Sequence, residues 1–408
     1  MTHTPTRTRR ALVLAAALAA TLSTALPSGP ATARPGPPDV RELLRRDAGA
    51  LVAAGATGVQ ARLVTAGGTG TTATAGVADR ATGRPVPDTG HFRIASVTKT
   101  FLATVILQLA AEHRLSLDDT AERWLPGTVS GNGNDGRAIT LRQLLTHTAG
   151  LHDDYPDYVS AADYREHRLD RYTAEETVAR AMRHGPDFAP GTRWAYSNTG
   201  YVLLGMVVRR VTGNSWPQEV ERRIVRPLGL RHTTGPGPSP ALPRPHATTY
   251  QRFAPGEPLV DVTEQIGSGT NGEAGMISTT ADLARFLRAV LGGRLLPPAH
   301  LALMKETVPV GPEFERFMPG ARDGLGIFAR PLSCGGAYWG HEGGDAGWIT
   351  ATGATEDGRH AVIVSLSGVL AASDDDVLRV EGALNRLVDD ALCAARDAGP
   401  GSAPRPGR

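Results

Sequence analysis

Arg93-Ile94-Ala95-Ser96-Val97-Thr98-Lys99, with the apolar run 100–111 directly behind it, is the most informative stretch of this chain. In 408 residues there are only two lysines, Lys99 and Lys305; every other basic residue is an arginine. On a helix starting near Ser96, a spacing of three puts hydroxyl and ammonium on one face, a turn apart. Arginine does not lose its proton in a protein, whereas a lysine does when it is desolvated or set near positive potential, as at a helix N-terminus. Lys99 is therefore placed to activate Ser96 as a nucleophile. A Ser-x-x-Lys pattern arises by chance elsewhere, and the scarcity of lysine is what gives this one its weight.

The bulk properties narrow the class. Arg7, Arg9 and Arg10 precede an uncharged, mostly apolar run 11–26, and Ala31-Thr32-Ala33 offers a small-x-small cleavage site, so residues 1–33 read as a secretory signal. The apolar run is short for a membrane span and no later segment is apolar enough, so a secreted protein without a permanent membrane anchor is expected. The remaining chain of about 375 residues exceeds one ordinary core and suggests two lobes. Net charge is only +2, with acids and arginines interspersed, and no basic patch interleaved with aromatics occurs, which argues against nucleic acid as a partner. Cys334 and Cys393 are the only cysteines. In an oxidising compartment they favour one disulfide, two buried free thiols being the alternative.

Along the chain, apolar spacing predicts a helix over 40–54 with Asp39 as N-cap, then strands over 59–64 and 72–77 around Gly67-Gly68. The Ser96 helix is expected to run to His113. Residues 118–275 read as mostly helical, broken by Gly/Pro loops. Strand character returns at 326–329, 337–340, 348–353 and 361–367, and an amphipathic helix closes the chain over 377–395. Strands at both ends around a helical middle imply an α+β fold. One antiparallel sheet flanked by helices is built from distant segments, 39–117 and 276–396, and an all-helical lobe, 118–275, is inserted. The Pro/Gly-rich tail 399–408 is expected to be disordered.

Two further segments carry chemistry. Tyr196-Ser197-Asn198 offers a phenol that a neighbouring cationic lysine could acidify for proton relay, and an amide that could bond a substrate carbonyl and hold Lys99. Tyr338-Trp339-Gly340-His341-Glu342-Gly343-Gly344 ends a strand, where small residues let a substrate backbone approach and strand amides complete an oxyanion hole. His341 could place a second titratable donor across the cleft.

Together these three motifs resemble the serine β-lactamase and penicillin-binding protein superfamily. The chain has Tyr-x-Asn and His-x-Gly in place of Ser-Asp-Asn and Lys-Thr-Gly. It is most similar to the branch with class C β-lactamases, D-aminopeptidases, related esterases and the secreted D-alanyl-D-alanine carboxypeptidases of actinomycetes. Segments 76–83, 144–151 and 332–335 extend that likeness over nearly the whole mature chain. The resemblance implies a β-lactamase/DD-peptidase-like fold, with Ser96 as the acylated nucleophile and Lys99 and Tyr196 as the proton-transfer pair. It further implies Asn198 as a substrate ligand, His341 as an electrostatic partner and the N–H groups of Ser96 and Gly344 as oxyanion donors. The Cys334–Cys393 pair matches the disulfide of those carboxypeptidases.

The departures concern the leaving group. The carboxypeptidases hold the terminal carboxylate with a strand arginine and two threonines; here Phe328 stands at the arginine position, with Arg330 two residues on, and Glu342 and Gly344 replace the threonines. The tryptophan expected before Ala274-Gly275 is also missing. His147, His152, Asp153 and Asp154 lack the spacing of a helical zinc pair, so neither metal nor cofactor is expected. The expected function is a monomeric secreted serine hydrolase acting on small peptides or peptidoglycan-like substrates as a D-Ala-D-Ala carboxypeptidase-like D-peptidase. An esterase or transacylase of the same fold is the alternative, favoured by Phe328 and Glu342. A β-lactam-binding or cell-wall-binding protein without useful turnover is less favoured because Ser96, Lys99, Tyr196 and His341 are all intact, and a β-lactamase is less favoured because rapid deacylation requires a positioned water that no motif specifies.

Overall fold

The computed structural model describes residues 39–155, 158–266, 271–370 and 373–397. The expected signal segment 1–33 and the tail 399–408 lie outside the described residues, as does the 267–270 neighbourhood of the missing tryptophan.

Helix α1 (Val40–Ala54) begins where expected, with the Asp39 carboxylate accepting the Arg41 N–H at 2.9 Å. Strands β1 (Ala56–Val64) and β2 (Gly70–Gly76) form a hairpin. Helices α2 (Thr98–Ala111), α3 (Asn198–Thr212) and α4 (Thr280–Leu291) follow. The chain then supplies β3 (Phe328–Pro331), β4 (Ala337–Gly340), β5 (Glu342–Asp345), β6 (Trp348–Thr355), β7 (Ala361–Val369) and the closing helix α5 (Asp374–Asp397). The strand order is β2-β1-β7-β6-β4-β3, each neighbour antiparallel, so the first and last long strands pair in the middle of the sheet. Tyr338↔Thr355 on β4 and Glu342↔Ala351 on β5 share one register against β6. β4 and β5 are thus one strand interrupted at His341.

Each face of the sheet is covered. On one side Leu44 and Leu51 of α1 and Leu384 and Leu387 of α5 pack on Val59, Val364 and Leu366. On the other lie α2 and α4, with Phe101 and Phe286 stacked. Burying a leucine or phenylalanine in such a layer contributes about 1.5–3 kcal/mol. Residues 98–107 of α2 are buried without exception, which explains why its sequence shows an apolar run and no stripe. That hydrophobic cluster continues from the sheet through α2 into Leu141, Val202 and Trp216.

The expectation of an all-helical insert needs correction. Ser130–Gly131 and Asn134–Asp135 form a small hairpin, Tyr250–Gln251 pairs with Val260–Asp261, and Gln251 meets Val369 of β7 in parallel. The last part of 118–275 thus returns to the main sheet, where it supplies partners to backbone groups that a helix would leave open. Signals this short, two residues per strand, have no legible period.

Cys334 and Cys393 are joined by a disulfide that ties the β3–β4 turn to the last turns of α5, across a sequence separation of 59. Closing a loop of this size stabilises by ~4 kcal/mol in the chain-entropy model. Non-reducing peptide mapping should recover the Cys334–Cys393 linked peptide. The Cys334→Ser, Cys393→Ser double variant should unfold at a clearly lower temperature, and an unchanged midpoint would show that the bridge adds nothing.

Candidate active site

The Ser96 turn is a short 3-10 segment, Ala95–Val97, from which α2 continues at Thr98. Ala95 has φ 44, a left-handed conformation that side chains disfavour. Such strain at the start of a buried helix is typical of a functional turn. Strand β5 presses against this turn: a Cβ placed on Gly343 would lie 2.4 Å from the Ile94 carbonyl oxygen and 2.8 Å from the Ser96 nitrogen. Gly343 is therefore required by the strand's approach to Ser96. A Cβ on Gly344 would meet nothing within 4 Å, which leaves open space beside the strand on the cleft side.

Lys99 is completely buried. Its Nζ lies 2.9 Å from Ser96 Oγ, 2.8 Å from Asn198 Oδ1 and 2.8 Å from the Glu273 carbonyl oxygen. Burial pulls its pKa down to about 7, opposed by the charges of Glu273 and Asp153. The Glu273 carboxyl is pushed up, also to about 7, again chiefly by burial. Of the three partners of the amine, two are pure acceptors. A neutral Lys99 spends both N–H groups on Asn198 and Glu273, which turns its lone pair to the Ser96 hydroxyl.

Asn198 opens α3, and its other end is fixed: Nδ2 donates to Asp153 Oδ2 at 2.9 Å. Asp153 also accepts the Thr199 N–H and hydroxyl, both at 2.8 Å, and so sits where the helix dipole favours an anion. Asn198 lines the cleft, and its Nδ2 carries a second N–H for which no partner is found among the described residues.

Tyr196 hydrogen-bonds Ser96, and its ring lies 4.9 Å from Lys99 Nζ. The ring is clamped between His147, 4.3 Å away, and Phe314, 5.1 Å away, both stacked. The expected acidification by Lys99 does not occur: burial pushes the phenol pKa up, and the hydrogen bond to Ser96 offsets only part of that cost. Tyr196 is thus a neutral phenol with a hydrogen bond to donate rather than a phenolate base. His147 Nδ1 accepts the Ser197 N–H at 3.0 Å, and burial holds its ring neutral. His152 binds Asp187 and Asp154 binds Arg180 and Arg183, so these four residues brace the site rather than converge on one point.

His341 fills the break between β4 and β5, with its N–H on Thr352 Oγ1 and Thr352 N–H on its carbonyl. Its Nδ1 donates to the Glu342 carbonyl oxygen, which makes Nε2 an acceptor without a partner among the described residues. Burial, reinforced by Lys99, lowers its pKa to about 3. The expected second titratable donor is therefore a neutral ring that presents a lone pair.

Ser96, Tyr196, Asn198, His341, Glu342 and Gly344 line one cleft of about 660 Å³, along with Phe314, Phe317, Met318 and Phe328. Phe328 packs edge-on to His341 at 5.0 Å, and Trp194 completes the aromatic wall beside Phe314. Glu342 is not the lone anion expected from sequence. Arg330, on the same face of β3 as Phe328, pairs with it at 2.5 Å and lies over the Tyr338 ring. Arg330 itself does not line the cleft.

A serine held against a desolvated lysine and a neutral tyrosine, beside an open strand edge, is arranged for acyl transfer. A β-lactamase family model matches residues 41–384. The chain belongs to the β-lactamase family. It is a serine hydrolase of the β-lactamase and penicillin-binding protein fold. The D-stereospecific amidohydrolase from Streptomyces sp. is 40% identical, covering 84% of this chain and 98% of its own, with a TM-score of 0.76. Penicillin-binding protein 4 of Amycolatopsis lactamdurans is 30% identical over 57% of this chain and 61% of its own length. Esterase EstB of Burkholderia gladioli is 31% identical over 56% of this chain and 64% of its own length. The matched stretch thus spans less than two thirds of these two relatives.

Sequence reasoning missed Glu273, Asp153 and the platform of His147 and Phe314. Glu273 stands next to Ala274-Gly275, which was legible, but nothing in the sequence places its carbonyl on Lys99. Fluorophosphonate or penicillin should label Ser96, and Ser96→Ala should abolish the label by intact-mass measurement. Labelling that persists on another serine would contradict this geometry.

Proposed function

We propose that this protein hydrolyses or transfers the acyl group of D-aminoacyl amides, peptides and esters through a Ser96 acyl-enzyme, with leaving groups that carry no free carboxylate. The observation that carries the specificity is the wall opposite Ser96. Phe328 stands where a carboxylate-binding arginine is expected, and Arg330 is neutralised by Glu342. Arg252, the arginine that does line the cleft, donates to the Glu257 carbonyl. The amidohydrolase likeness supports the D-acyl part of this reading, and the esterase likeness supports breadth in the leaving group.

In the proposed cycle, the Ser96 O–H donates to the lone pair of neutral Lys99 as Oγ attacks the acyl carbonyl. The developing oxyanion takes the N–H groups of Ser96 and Gly344, which the close packing of Gly343 on the Ser96 turn brings together. The proton then passes from Lys99 by way of Tyr196 to the departing nitrogen or oxygen. Water or an amine retraces the path to release the acyl group. Asn198 holds the acyl side through its free N–H. Export is part of this proposal, supported by the disulfide and by the absence, among the described residues, of a helix long and apolar enough to cross a membrane.

Because the reactive form of Lys99 is the neutral amine, kcat/KM should rise with pH through about 7 and level off above it. Lys99→Arg keeps the charge, cannot release a proton, and should slow acylation by at least ~10²-fold. Near-wild-type acylation in that variant would mean the lysine serves only as a charge. Acyl-D-Ala-D-Ala as the free acid should be a poor substrate beside its amide or methyl ester. Phe328→Arg should improve the free acid selectively, by about 1–3 kcal/mol of charge-assisted binding. A strong wild-type preference for the free acid would overturn the leaving-group assignment.

A further inference from the structure

Beyond the aromatic wall the cleft reaches a group that the hydrolytic cycle does not use. Glu381, from the second turn of α5, lines the same cleft as Ser96 and Glu342. It approaches the Arg330–Glu342 pair closely enough to be repelled by Glu342 and attracted by Arg330. Two carboxyl groups therefore share a single guanidinium. Glu381 Oε2 is buried and has no hydrogen-bond partner among the described residues. One turn further along α5, Asn385 donates from Nδ2 to the carbonyl of Phe317, which also lines the cleft, while its Oδ1 is buried and unpartnered. Both unmatched atoms are acceptors, on one helix face at i and i+4. Buried acceptors left open are costly, and the group that satisfies them must bring N–H or O–H donors.

We propose that the Glu342–Arg330–Glu381 cluster is a subsite for an ammonium group carried by the amine that leaves the acyl-enzyme or attacks it. The inference rests on the acyl-transfer reading and names the chemistry of its second substrate. An ammonium supplies the charge that balances the second carboxylate and the donors that Glu381 lacks. A carboxylate at this position meets two carboxyl groups and a guanidinium already paired. Burial, and after it repulsion from Glu342, pushes the Glu381 carboxyl up to about 8, and a cation beside it pulls it back toward the charged form, in which both its oxygens accept. Among the described residues no three metal-ligating side chains converge here, so a metal ion is not the implied occupant. Because leaving and accepting amines occupy the same side of the acyl-enzyme, one subsite serves both directions of transfer.

The test holds one D-aminoacyl group constant and varies a four-carbon leaving group: n-butylamine, 1,4-diaminobutane and 4-aminobutyrate, with the matching esters of n-butanol, 4-aminobutanol and 4-hydroxybutyrate. At pH 7 the cationic member should exceed the neutral one in kcat/KM at least tenfold and the anionic one should be slowest. Glu381→Gln should bring the cationic-to-neutral ratio near unity. Equal rates for cationic and neutral members, or a ratio unchanged in Glu381→Gln, would overturn the subsite. If esters are cleaved and no amide is, amide hydrolysis fails as a function while the ester ratio still decides the subsite. A readout without turnover completes the test: 4-aminobutanol, a cation at pH 7, should protect Ser96 from fluorophosphonate at concentrations at least tenfold below the neutral n-butanol, and equal protection, or none, refutes the proposal.

Discussion

A desolvated amine is the constraint on which this site is built. Lys99 is sealed from water, and its nitrogen touches three partners contributed by chain segments far apart in sequence: the turn it shares with Ser96, the first residue of α3, and the Glu273 carbonyl. An ammonium loses most of its hydration in such a place, so the neutral form competes at ordinary pH. Everything nearby then serves to hold the amine in one orientation. Asp153 pins the Asn198 amide, α3 fixes Asp153 through the N–H and hydroxyl of Thr199, and His147 and Phe314 clamp the Tyr196 ring.

The sheet matters to this arrangement through one edge. β4 and β5 keep a common register on β6 yet break at His341, and the break is what lets the second half of the strand lie against the Ser96 turn. Gly343 accepts that contact and Gly344 opens the space beyond it. On the same strand Glu342 reaches Arg330, and Glu381 of α5 lines the cleft with it. In the proposed function, contact with the Ser96 turn and contact with the leaving group thus fall to Gly343 and Glu342, successive residues of one strand, as alternation of side chains along a strand allows.

Much of this was legible before any coordinates. The helix with its Asp39 cap, the four late strands, the closing amphipathic helix and the Ser96–Lys99 turn all carry local signals: capping chemistry, period, or a lysine where the chain otherwise uses arginine. What escaped was relational. The sign of the Tyr196 shift depends on how completely its ring is enclosed, and the sequence offered only its neighbour's charge. The role of Glu342 depended on the reach of Arg330, and Glu381 has no motif at all, being a helix residue that acquires meaning only where α5 passes the sheet edge. The two-residue strands in 130–135 and 250–261 are too short for any periodicity to announce them.

The pairing of β1 with β7 sets the order in which this molecule can assemble. Val59 lies opposite Leu366, and α1 packs on α5, so the central layer joins the two ends of the chain. During synthesis, at about 5–20 residues per second, β1 waits tens of seconds for its partner. Helices of the middle segment can collapse on one another in that interval, but the sheet face of α2 has nothing to cover it until the last strands emerge. Contacts so distant in sequence make folding slow. A chain that cannot close until it is almost complete keeps the apolar faces of α1, β1 and α2 open to other chains through most of its synthesis, and that interval is when this molecule is most exposed to misassembly.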